Sequence, residues 1–128
     1  MFVKNIVSTQ AADILKLTKL ARLIDVRSKS EWQNYGFPLY DSYKLLLLSW
    51  RIYPYMEINS SFEQIINLQI QNKKETLFFI CKSGLRSLEA AECVKNMGYS
   101  NCYNIVDGTE GNFSGKGWKY NNLPWQNF

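Results

Sequence analysis

Histidine is absent from the 128-residue chain. Its absence excludes Cys–His nucleophilic pairs, histidine general bases and histidine-ligated metals together. Cysteine is sparse: Cys81, Cys93 and Cys102 are the three, with no Cys-x-x-Cys spacing. An odd, scattered set is neither a disulfide framework nor a zinc site, so no metal or cofactor is expected. Long apolar runs are missing too. Even "LLLL" at Leu45–Leu48 is far too short to span a bilayer. The opening "MFVKNIVSTQ" carries no signal-peptide core. These absences predict a soluble, cytoplasmic protein with no membrane partner. No run of five or six basic residues occurs, so no nucleic-acid partner is expected. The net charge of +4, from fifteen Lys and Arg against eleven Asp and Glu, is a mild bias toward anionic substrates. The remaining chemistry must run on Cys, Lys, Arg, Ser, Tyr, carboxylates and backbone groups.

The length suits one compact domain over residues 1–128, with no repeat or linker. "NIV" (Asn5–Val7) predicts a strand, followed by a helix capped at Ser8 or Thr9 with Ala11, Ile14 and Leu15 on its apolar face. "LIDV" (Leu23–Val26) predicts a buried strand. Ser28 and Glu31 have capping-box spacing for a short helix that Gly36 and Pro38 end. "YKLLLLSW" (Tyr43–Trp50) reads as a strand buried on both faces, because it does not alternate. Ser60 and Glu63 suggest a second capping box, ahead of Phe62, Ile65, Ile66 and Ile70 at helical spacing. "TLFFI" (Thr76–Ile80) is another continuous apolar strand. The helix after it buries Ala90, Cys93, Val94 and Met97 and ends at Gly98. "CYNIV" (Cys102–Val106) is expected as the last strand, and "DGTEGNFSGKGW" as a surface loop. Strand–helix alternation with doubly buried strands predicts an α/β domain. Its central sheet is mainly parallel, with about five strands and helices on both faces. Ligands bind such sheets at the carboxyl ends of the strands, where "DVR" and "CKSGLRS" emerge.

In "CKSGLRS", Cys81 is the first residue past a buried strand, and a helix is expected to start near Arg86 or Ser87. Gly84 permits a tight turn, so backbone N–H groups converge above the Cys81 sulfur. Such donors favour thiolate over thiol, with no histidine required. Cys81 is therefore the candidate nucleophile. Lys82 and Arg86 are candidates to attract an anionic donor. Ser83, Gly84, Leu85 and Ser87 are expected to contribute backbone N–H groups. Asp25 and Arg27 are expected to brace the loop. Cys93 lies on the apolar stripe, about 18 Å along the helix at 1.5 Å per residue, too far to resolve a Cys81 adduct. Cys102 is read as structural.

"LIDVRSKSEW" (Leu23–Trp32), "FFICKSGLRS" (Phe78–Ser87), "GYSNCYNIVDG" (Gly98–Gly108) and "GW…LPW" (Gly117–Trp125) stand in the order that resembles rhodanese-like domains. The resemblance covers nearly the whole chain. It implies a sulfurtransferase in which Cys81 takes sulfane sulfur as a persulfide. The partners implied are a small-molecule or protein persulfide donor, thiosulfate for example, and a thiol or cyanide acceptor. Two features depart from the common pattern: Phe37 stands where histidine is common, and Gly108–Gly117 is a stretched loop. Two other readings stay open: a Cys-based phosphatase or arsenate reductase of related fold, and a non-catalytic binding module. Four residues separate Cys81 from Arg86, one fewer than in Cys–Arg phosphatases, which favours an amide ring sized for one sulfur atom.

Overall fold

The computed structural model describes residues 2–127. Strands β1 (Lys4–Ile6), β2 (Ala21–Asp25), β4 (Leu45–Leu47), β7 (Thr76–Ile80) and β8 (Asn101–Ile105) form one parallel sheet in the order β1-β8-β7-β2-β4. Helices α1 (Ser8–Leu17), α2 (Lys29–Tyr35), α3 (Phe62–Gln69) and α4 (Leu85–Asn96) connect them. Two short antiparallel pairs lie outside the sheet: β3 (Phe37–Pro38) with β9 (Trp125–Gln126), and β5 (Arg51–Ile52) with β6 (Glu57–Ile58). No helix among the described residues is long and apolar enough to cross a membrane.

The apolar runs of β2 and β7 do not alternate because both faces are covered. On one face Ile24, Leu77, Phe79 and Cys81 pack with Phe62 and Ile66 of α3 and with Ala90, Ala91 and Val94 of α4. On the other, Leu23, Phe78 and Ile80 pack with Ala11, Ala12 and Leu15 of α1 and with Trp118. The period-two geometry of β7 thus turns the Cys81 side chain toward the α4 face.

Several elements depart from the sequence reading. Tyr43–Trp50 is not one long doubly buried strand. Only Leu45–Leu47 pairs, at a sheet edge, and its residues are half-buried. Asp41 turns the chain into it by accepting from the Tyr43 and Lys44 N–H groups, and buried Leu48 and Trp50 follow in a bend. The Ser60–Glu63 capping box does not form. Ser61 holds the N-cap position without a side-chain bond, and Asn59 Oδ1 accepts the Ser61 N–H instead. The first, second and last sheet strands sit slightly N-terminal of the expected ranges, and β9 follows the strand expected to be last.

The Gly-rich segment is anchored instead of lying free on the surface: Asp107, Gly108 and Thr109 are buried. The Asp107 carboxylate accepts from the Ser8 N–H (2.8 Å), the Ser8 hydroxyl (2.7 Å) and the Gly117 N–H (3.0 Å). A residue 99 positions away therefore caps α1, so Ser8 is a donor at the helix start and not its own cap. Asp107→Ala strands three buried donors. It is expected to destabilise the fold by about 3 kcal/mol. Urea unfolding would register this as a lower midpoint at unchanged slope, and an unshifted midpoint would refute the capping role.

Candidate active site

β2 and β7 end in register, Asp25 opposite Ile80, and the Val26 N–H continues the ladder to the Ile80 carbonyl. The "DVR" and "CKSGLRS" segments therefore leave the sheet side by side. Cys81 directly follows β7, with its side chain in the core, and is only 1% exposed. The chain turns at Gly84, whose φ of +100° suits glycine; a Cβ there would lie 2.9 Å from the Val106 carbonyl oxygen. α4 begins at once, at Leu85.

Two backbone donors reach the sulfur: the Gly84 N–H at 3.2 Å and the Ser87 N–H at 3.3 Å. The thiol donates to the Ser87 hydroxyl oxygen at 3.2 Å. That hydroxyl donates in turn to Asn104 Oδ1 (2.6 Å), and Asn104 Nδ2 donates to the Gly84 carbonyl (3.1 Å). Of the four residues expected to offer backbone donors, Gly84 and Ser87 do so. Ser83 and Leu85 instead lie exposed on the rim. Asn104, on β8, is a site residue that the sequence reading missed. No local motif marks it, because only the β7–β8 pairing brings it under the loop.

The loop is held from outside by its carbonyls. Thr109 N–H donates to Cys81 O, Glu110 N–H to Lys82 O, Asn112 Nδ2 to Ser83 O and Asn104 Nδ2 to Gly84 O. Gly108 makes the approach feasible, since a Cβ at that position would lie 2.2 Å from the Lys82 carbonyl oxygen.

The basic residues divide differently from the expectation. Arg86 is not free to receive an anion: Nη1 donates to Glu31 Oε1 (2.7 Å) and Nη2 to Glu31 Oε2 (3.0 Å). The Ser28–Glu31 capping box forms as expected and fixes that carboxylate at the start of α2. Burial opposes ionisation of Glu31, but hydrogen bonds from Arg86 and Ser28 and the Arg86 charge outweigh it, holding the carboxyl at about 2. Lys82 is exposed, and among the described residues it makes no ion pair. It forms one wall of a pocket of about 350 Å³ whose other walls include Arg27, Tyr35 and Thr109.

Asp25 and Arg27 form a buried pair, with Arg27 Nη2 at 2.7 Å from Asp25 Oδ2. Among the described residues, the side-chain hydrogen bonds of the pair run to its own segment and to Gly36, and none reaches residues 81–87. Arg27 Nη2 also donates to the Gly36 carbonyl, and the guanidinium stacks on Trp125, so the pair braces the turn after α2 and the C-terminal tail. Cys93 is half-buried and Cys102 is buried; burial pushes each thiol up to about 11. Among the described residues no group of His, Cys, Asp or Glu is placed to hold a metal ion.

A family model described as the STR4 middle domain matches residues 5–128. The chain is 50% identical to the RP600 homolog of Rickettsia rickettsii over 127 residues, 98% of this chain and 99% of that one. It is 36% identical over 86 residues, 62% of this chain and 69% of the other, to a rhodanese domain-containing protein of Drosophila melanogaster. Among solved structures, Rv0390 of M. tuberculosis superposes with TM-score 0.85 at 29% identity over the whole of both chains. A polysulfide-sulfur transferase homodimer of Wolinella succinogenes superposes with TM-score 0.71 at 20% identity, over 98% of this chain and 80% of that one.

The Glu31–Arg86 pair should show in acid. Because the folded carboxyl titrates near 2 and its ordinary value is 4.5, the stabilisation is complete above about pH 4.5 and is lost as pH falls toward 2. The unfolding-midpoint gap between wild type and Glu31→Gln should be constant above about pH 4.5 and narrow below it. A gap that stays level into acid would contradict the assigned pairing.

Proposed function

We propose, because this chain belongs to the rhodanese-like domain family, that it moves sulfane sulfur from a donor to an acceptor through a persulfide on Cys81. The observation that carries the reading is the cradle around Sγ. Two N–H groups and one hydroxyl surround a single sulfur at 3.2–3.3 Å, in a turn of four residues between Cys81 and Arg86. The Wolinella protein of similar fold supports it, being described as a polysulfide-sulfur transferase.

The Cys81 thiolate attacks the outer sulfur of a donor such as thiosulfate. A new S–S bond forms, the bond to the sulfite sulfur breaks, and sulfite leaves with the electron pair. The Gly84 and Ser87 N–H groups stabilise the negative charge that sulfur carries before and after transfer. Cyanide or an acceptor thiolate then takes the terminal sulfur and regenerates the thiolate. Lys82 is the cation at the mouth that draws an anionic donor; Arg86 acts by locking the start of α4 to α2. The reading places the protein in the cytoplasm, where its three free cysteines stay reduced.

A phosphatase is favoured less. A phosphoryl group needs a wider amide ring and an arginine facing its oxygens, whereas Arg86 is engaged by Glu31 at both terminal nitrogens. No histidine is available to protonate a leaving group.

Incubation with thiosulfate should leave the Cys81 peptide heavier by one sulfur atom in mass spectrometry, with cyanide removing it as thiocyanate. The Cys93 and Cys102 peptides should stay unlabelled, since their thiols, at about 11, are protonated near neutrality. Label persisting in Cys81→Ala, or wild-type protein hydrolysing an aryl phosphate faster than it forms persulfide, would sink the reading.

A further inference from the structure

Exposed apolar side chains gather around the Cys81 loop. Leu85, first residue of α4, is 74% exposed. Phe113 is 103% exposed, and its neighbour Asn112 hydrogen-bonds the Ser83 carbonyl, which sets Phe113 beside the loop. On the other side stands the β5–β6 hairpin. Its Arg51 pairs with Glu89, one turn beyond Leu85 on the same face of α4, and its tip carries Tyr53 and Tyr55, 72% and 82% exposed. Large apolar side chains left exposed around a reactive group mark a surface that another molecule covers.

The unpaired charge on this face is mostly positive. Glu31, Glu89 and Glu110 are neutralised by Arg86, Arg51 and Lys119. Among the described residues, exposed Lys29, Lys82 and Lys116 have no ion pair, and the hairpin's Glu57 is the one free carboxylate between them. Cys81 meanwhile is buried, so whatever exchanges sulfur with it must be held at the rim while a thin group reaches in.

We propose that this rim docks an acidic protein segment whose apolar side chains flank an exposed cysteine, and that this cysteine accepts sulfur from Cys81. The proposal rests on reading Cys81 as the sulfur carrier. The segment's thiolate attacks the outer sulfur of the persulfide. The new S–S bond forms on the segment, the Cys81–sulfur bond breaks, and Cys81 leaves as thiolate. A protein fits better than a nucleic acid, because the sequence has no run of basic residues to track a phosphate backbone, and exposed Leu85 and Ile52 add aliphatic surface that suits apolar side chains.

The test uses the full chain and two labelled peptides of equal length, each with leucines flanking a central serine, one glutamate-rich and one lysine-rich. Fluorescence anisotropy should show the acidic peptide binding about tenfold tighter or better. The preference should shrink as salt rises, and binding of the acidic peptide should be weakened about tenfold or more in Phe113→Ser with Tyr55→Ser, while that double variant still loads sulfur from thiosulfate like wild type. Cysteine-centred versions should receive the sulfur with the same preference. Equal binding of the two peptides, or an oligonucleotide binding more tightly than the acidic peptide, overturns the docking surface even where thiosulfate loads Cys81. Failure of Cys81 to load with peptide preference intact overturns the sulfur-transfer reading and leaves the docking surface standing.

Discussion

Four consecutive carbonyls, from Cys81 to Gly84, each accept a hydrogen bond from the segment 104–112. This single strip of docking organises the site. A peptide plane whose C=O is held outward presents its N–H on the opposite side, and here that side holds the Cys81 sulfur. The Gly84 N–H, across its peptide plane from the held Ser83 carbonyl, therefore stands in place before any ligand arrives, the Ser87 N–H is set by the first turn of α4, and no reorganisation is needed when charge appears on sulfur. The strip also explains the long Gly-rich segment. Its buried stem, at Asp107, Gly108 and Thr109, must pass close enough to touch backbone with backbone, and only a glycine at 108 permits that approach.

Among the described residues, buried charge is ion-paired except at Asp107, whose carboxylate accepts from neutral donors of Ser8 and Gly117. Asp25 with Arg27 ties β2 to the turn at Gly36, and Arg22 with Glu75 joins β2 to the entry of β7. An unpaired buried guanidinium costs several kcal/mol, so each pair fixes the relative position of two segments more than it adds net stability. Glu31 with Arg86 does the same for the starts of α2 and α4. One consequence is electrostatic: the cation nearest in sequence to Cys81 that stays available to a ligand is Lys82, on the rim and not in the floor.

The comparison of Arg86 with Lys82 shows where sequence reasoning fails. Both stood in the motif as candidate anion receptors. A linear motif records which residues lie near each other in the chain, and carries no record of a carboxylate from a different helix. Asn104 is the converse: nothing in "NCYNIV" singles it out, yet β7–β8 pairing sets it beneath Ser87. The misjudged strand at Tyr43–Trp50 has the same origin, because an apolar run does not say whether a strand has one neighbour or two.

The sequence by itself determined the elements whose signals are local. Doubly buried "TLFFI", the Ser28–Glu31 capping box, Gly84 ahead of a helix, and a lone strand-end cysteine in a chain without histidine are readable from periodicity, turn chemistry and composition. Tertiary structure alone decided which donors reach the sulfur, which cation is spent on which carboxylate, and that Asp107 caps a helix 99 residues away. Hydrogen bonds and ion pairs act over a few ångströms in space. Their partners therefore become fixed only when the parallel sheet sets distant segments side by side.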